Sequence, residues 1–185
     1  MWWSMSPYHF SLHLSRVSEG IFSLTGELIH RVSVTEESRV GLISGYSVQV
    51  FRVQTEELPA LDPGLHQAFS EFFSGREEKP YREDEIEFTD RFLFLGYQEI
   101  DPAHRGRDLS LQMIDEIRAM LGNDSTLITL GLDPLQGGQA FAGKDPRSLQ
   151  EHFQRGGFSP ARSGPGVMFQ HQYFAAESGS SRHAI

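Results

Sequence analysis

Arg105 and Arg107 flank Gly106 just ahead of an amphipathic run, and two guanidinium groups on a Gly-containing turn are suited to holding a phosphate. From Asp108 onward Leu109, Met113, Ile114, Ile117, Met120 and Leu121 recur at helical spacing, with Asp115, Glu116 and Arg118 on the other faces. A helix is therefore expected to start at or just before Asp108. Such a start leaves backbone N–H groups without intrahelical partners and carries partial positive charge. Amides between Gly106 and Ser110 can then grip an anion with little side-chain help, and the two arginines add full charges at the same mouth. Asp108 is the discordant residue: its carboxylate either faces the anion or turns inward as an N-cap, accepting bonds from the amides two or three residues on.

Several elements must position this turn. Phe92, Leu93, Phe94 and Leu95 are apolar on both faces, as expected of a strand in the middle of a sheet, and Asp101-Pro102 ends that strand because Pro cannot donate to the ladder. Gly122-Asn123-Asp124 stops the helix. A strand is expected from Thr126 to Leu132, a short helix from Arg147 to Arg155, and two strands between Ser159 and Phe174 joined through Ser163-Gly164-Pro165-Gly166. Upstream, residues 8–16 alternate as a first strand, 20–36 read as a strand or a hairpin with Gly26 near its turn, and 39–53 form the clearest strand. Residues 63–74 carry Leu65, Ala68, Phe69, Phe72 and Phe73 at helical spacing. No internal repeat is present.

The run Ile100-Asp101-Pro102-Ala103-His104-Arg105-Gly106-Arg107-Asp108-Leu109-Ser110 resembles the acetyl-CoA pyrophosphate loop of the GNAT N-acetyltransferases. There an apolar residue and x-Pro precede an Arg or Gln and x-x-Gly-x-Gly/Ala at a helix start. Ile100, Pro102 and Arg105 match; Asp108 and Ser110 stand where the family has its two small residues. Downstream, Phe153-Gln154-Arg155-Gly156-Gly157-Phe158 resembles the closing Tyr-x-x-x-Gly-Phe, with Phe153 in place of the Tyr. The resemblance spans roughly residues 40–172.

It implies a GNAT-like α/β fold for residues 1–174, a mixed and mostly antiparallel sheet of six or seven strands with helices on both faces, opened between the fourth and fifth strands. It implies acetyl or acyl transfer from acetyl-CoA, as co-substrate, to a primary amine on a small molecule or peptide, with Ile100, Arg105, Gly106, Arg107, Asp108, Leu109 and Ser110 holding the cofactor. Tyr97, Gln98, Glu99 and Ile100 then lie along the reaction line. Glu99, the only carboxylate inside that strand, is the candidate general base, or pairs with Arg105 or Arg107 instead. Phe153 has no proton to give, so Tyr97, Tyr8, Ser110 or bulk water would supply one to the departing thiolate; a protein lacking any such donor is a binding or regulatory module. The family's two helices between its first and second strands find no room here, and residues 63–74 are the candidate replacement.

The chain has 185 residues, about one ordinary domain. The lack of cysteine removes disulfides, thiolate metal sites and a cysteine nucleophile, and is compatible with a reducing, cytoplasmic setting. A net charge of −9 opposes binding to nucleic acid and favours a cationic substrate. No run is long and apolar enough to span a bilayer, so no membrane association is expected, and MWWSMSPYHF reads as no secretory signal. Residues 76–90 are an acidic run, read as a solvated segment or as a rim that attracts an amine. His9 and His13 read as strand histidines rather than a metal pair, and no metal is expected elsewhere. Trp2 and Trp3 are expected to dock on the domain or on a second subunit, and residues 175–185 to form a disordered tail.

Overall fold

The computed structural model describes residues 7–33, 35–73, 89–132, 146–161 and 166–171. Alternating apolar residues make the first two strands, β1 (Tyr8–Ser18) and β2 (Ile21–Arg31), an antiparallel hairpin. Its turn lies at Glu19-Gly20, where Gly20 takes φ +74°, a backbone that glycine adopts freely. No turn forms near Gly26. That residue sits within β2 opposite Leu12, with the Phe10 ring in the space a side chain would need.

β3 (Glu37–Gln49) pairs antiparallel with β2. A 3₁₀ turn (Thr55–Glu57), a one-turn helix α1 (Leu58–Leu61) and helix α2 (Pro63–Phe73) follow it. Both helices therefore fall between the third and fourth strands, and the first two strands are joined directly. β4 (Arg91–Ile100), a 3₁₀ turn (Pro102–His104), α3 (Leu109–Leu121) and β5 (Thr126–Gly131) come next. After them lie α4 (Pro146–Arg155), β6 (Ser159–Pro160) and β7 (Val167–His171). The sheet order is β1-β2-β3-β4-β5-β7-β6. β4 and β5 are parallel, with α3 as the crossover a parallel pair requires, and the other neighbours are antiparallel.

Two apolar cores, one on each face, hold the sheet. Leu93 and Leu95 of β4 pack with Leu109, Met113, Ile114 and Ile117 of α3 and with Leu149 and Phe153 of α4. Phe92 and Phe94, the neighbouring residues, face the other way and pack with Leu65, Ala68, Phe69 and Phe72 of α2. The apolar run on both faces of β4 is thus a strand covered on both sides. The register of β4 against β3 then shifts at Gly96, between Leu95 and Tyr97. This bulge reverses the alternation: Ile100 packs on the α3 side, as does the side chain of Gln98, while Tyr97 and Glu99 point to the α2 side.

Residues 133–145, the acidic residues 76–88, Trp2, Trp3, the expected strand joint at 162–165 and the chain from 172 lie outside the described residues. No described helix is long and apolar enough to cross a membrane.

Candidate functional site

Parallel pairing of β4 with β5 runs from Arg91/Thr126 to Leu95/Leu130 and stops, while β4 continues another five residues to Ile100. Beside that unpaired end, under the start of α3, lies a cleft of about 520 Å³. β4 contributes Gln98 and Ile100; the turn and the first residues of α3 contribute Arg105, Gly106, Asp108, Leu109 and Ser110; α4 contributes Ser148, Leu149, His152, Phe153 and Arg155. Of the residues expected to hold a cofactor, six therefore line one space. The seventh, Arg107, is not among its lining; its guanidinium donates to the Tyr8 hydroxyl at 2.8 Å.

The turn is tied at both ends. Asp101 caps the 3₁₀ turn by accepting the Ala103 N–H at 2.8 Å, and Arg105 Nε donates back to the Ile100 carbonyl at 3.0 Å. Gly106 takes φ +79°, which only glycine adopts at little cost, and Asp108 takes φ 54°, which Asp tolerates better than most residues. The Asp108 side chain neither caps α3 nor stands alone: it makes no capping bond and pairs with Arg155 at 3.1 Å. Of the two expected roles the N-cap is not taken, and the residue lines the cleft. The left-handed backbone swings the carboxylate across to α4, where a guanidinium offsets its charge.

Gln98 reaches from β4 to the Ser110 carbonyl, donating at 2.8 Å, and so fixes α3 against the strand. The Ser110 hydroxyl and His152 Nε2 are 2.6 Å apart. Arg155 NH2 is 2.9 Å from His152 Nδ1, and a guanidinium can only donate. In the neutral form of the ring Nδ1 is then the acceptor, with the proton on Nε2 donated to the serine oxygen. This arrangement does not activate Ser110 as a nucleophile, although Asp108 lies 3.7 Å from Nδ1 and the three residues superficially resemble a hydrolytic triad. Ser110, His152 and Arg155 thus put polar side chains on one side of the cleft.

Sequence reasoning did not single out His152 and Arg155. Their signal was present in the spacing of Ser148, His152 and Arg155, which share one face of α4 at intervals of four and three. Phe153 is on the adjacent face, 2% exposed and part of the core.

Glu99 and Tyr97 lie on the opposite face of the sheet. The Tyr97 hydroxyl donates to Glu99 Oε2 at 2.8 Å, and neither Arg105 nor Arg107 is directed at this carboxylate. The bond to Glu99, with partial burial and the carboxylate charge behind it, raises the Tyr97 pKa against a lowering by Arg39. A second, smaller hollow of about 210 Å³ lies beside Tyr97 on this face, lined among others by Tyr46, Asp62, Gly96 and Tyr97. The unpaired end of β4 thus separates a larger cleft with cationic and amide donors from a smaller one with phenols and carboxylates nearby. No group of three or more His, Cys, Asp or Glu side chains suited to a metal occurs among the described residues.

Comparison with known proteins returned no matching family model, no matching curated protein and no matching solved structure.

Proposed function

We propose that this chain transfers an acetyl or longer acyl group from acyl-CoA to a primary amine. One observation carries the proposal: β4 parts from β5 beyond Leu95/Leu130, with a 520 Å³ cleft at a helix start on one face and the Tyr97–Glu99 pair on the other. The resemblance of residues 100–110 to a pyrophosphate loop gives the same direction.

In this reading the amides of Gly106 to Ser110, Arg105 and Arg155 bind the diphosphate, and the unpaired edge of β4 offers its backbone to the pantetheine arm. The amine nitrogen attacks the thioester carbonyl carbon from the α2 face; its C–N bond forms, the C–S bond breaks, and the nitrogen gives its proton to Glu99 directly or through a water. Sulfur departs as a thiolate and takes a proton from solvent. Raised above its ordinary value, the Tyr97 phenol stays protonated near neutrality and orients Glu99 rather than losing its own proton.

A second reading, a module that binds CoA without turning it over, is favoured by one residue: Phe153, in the core at the position of the family's proton donor, has no proton to give. A calorimetric titration with acetyl-CoA tests the binding common to both. Heat at low-micromolar affinity supports the cleft and silence at millimolar ligand removes it; release of free thiol in the presence of amines then separates enzyme from module.

A further inference from the structure

At His152 two opposite charges compete for one ring nitrogen. Arg155, three residues on along α4, brings NH2 to 2.9 Å from Nδ1; Asp108, at the start of α3, has Oδ1 3.7 Å from the same nitrogen and 3.1 Å from that NH2. On the far side of the ring Nε2 is 2.6 Å from the Ser110 hydroxyl. Nδ1 can take the Arg155 bond only while it carries no proton, because a guanidinium has nothing but donors. Once protonated, Nδ1 is itself a donor. Arg155 must then give way, and the Asp108 carboxylate is the acceptor within reach.

Counting charges gives the consequence. With a neutral ring Asp108 and Arg155 cancel; with an imidazolium the three residues carry one net positive charge. All three, with Ser110, line the larger cleft. The other titratable or charged groups on the elements around it are His104 and Arg105 on the turn before α3 and Glu151 on the outer side of α4, while β4 adds only Gln98 and Ile100. His104 lacks the counter-ion that His152 has. It packs against His30 and Tyr8, the Tyr8 hydroxyl already takes a bond from Arg107, and His104 forms no ion pair with a carboxylate among the described residues.

We infer that this is a proton-coupled anion site: a doubly charged oxyanion, a phosphate or sulfate group, bound between Arg155 and the start of α3 draws a proton onto His152, whose Nδ1–H turns to Asp108 and releases Arg155 to the anion. This deepens the diphosphate reading of the cleft and rests on its anion site alone, not on acyl transfer. The proton comes from solvent and no covalent bond to the anion forms. By reciprocity, acid tightens the anion and the anion holds the proton on His152 to higher pH.

The test uses sulfate as the probe, since it stays a dianion across the range in which imidazole titrates, at constant ionic strength, on the full chain and on His152→Gln. Gln keeps a donor toward Ser110 and takes no proton. Sulfate should bind at least about fivefold tighter at about pH 5.5 than at about pH 8, the effect of one unit charge about 4 Å away in water. Most of that gain should be absent in His152→Gln. In the unsubstituted chain, saturating sulfate should raise the titration midpoint of the His152 ring resonances by about 0.7 pH unit or more, the same factor read from the proton's side. A pH dependence equal in the two chains, or a His152 midpoint indifferent to sulfate, overturns the coupling. No sulfate response at either pH overturns the site and the diphosphate reading with it. Sulfate bound with the expected pH dependence, beside silence from acetyl-CoA, keeps this site and removes acyl-CoA.

Discussion

Replacing Asp108 by Asn isolates one charge at the mouth of the larger cleft. Asn is nearly isosteric and tolerates left-handed backbone as Asp does, so the φ of 54° is kept. The Asp108 side chain makes no capping bond that could be lost. In the native chain its carboxylate pairs with Arg155 at 3.1 Å, and on the acyl-CoA reading proposed above it repels an arriving diphosphate. Like charges 4 Å apart cost about 1 kcal/mol in water and about 4 kcal/mol at an effective dielectric of about 20. Both side chains are more than half exposed, at 51% and 62%, so the lower end applies. For the same reason the pair itself contributes only about 0–1 kcal/mol. Asp108→Asn should therefore tighten acetyl-CoA by about 1–2 kcal/mol, roughly five- to thirty-fold. Calorimetric titration with acetyl-CoA, repeated with inorganic pyrophosphate at two ionic strengths, measures it, and the gain should shrink as salt rises. Affinity no tighter at low salt, or a gain indifferent to salt, refutes the electrostatic assignment of this mouth.

Glu99→Gln should lower turnover by about 10²- to 10⁴-fold with acetyl-CoA affinity unchanged, and full turnover at every pH would remove Glu99 as base. Because the folded pKa of Tyr97 is raised above the ordinary 10.0, the stability tied to its neutral phenol is complete below about pH 10 and lost as pH rises through the folded value. An ultraviolet phenolate titration should therefore show a late component, shared with Tyr46, which burial and Asp62 also raise, and Tyr97→Phe should diminish it; loss of a tyrosine from the ordinary range instead contradicts the bond to Glu99. Phe92, fully buried against Phe69, Phe72 and Phe73, should cost about 3–5 kcal/mol on truncation to Ala, read as a fall in midpoint on chemical denaturation. A loss under about 1 kcal/mol would mean that the core on the α2 face is not packed as described.

Strand and helix periodicity made most of the architecture legible, because burial on one face enforces alternation and burial on both faces erases it. β4 shows both regimes: its first half is uniformly apolar under two helices, and its second half alternates once the covering thins. Gly26 misled because glycine serves two physical needs. A turn and an overlying aromatic ring both exclude a side chain, and composition cannot distinguish the Phe10 ring from a reversal of the chain. The candidate site was legible where local chemistry suffices, at Arg105, Gly106 and Ser110, and illegible where it depends on what folds across. Asp108 is a helix-capping type by rank, yet its partner is 47 residues away on α4. Only the packing of α4 on α3 converts a residue that should repel a phosphate into half of an ion pair. The bulge at Gly96 acts in the same way on β4. It is one extra residue, and it decides which side chains share a compartment: without it Tyr97 and Glu99 would face α3, inside the cleft that holds Arg105, and the carboxylate would be drawn into an ion pair. The one-residue slip sends them to the other face, so that the Tyr97–Glu99 pair and the arginine-bearing cleft are kept apart by β4.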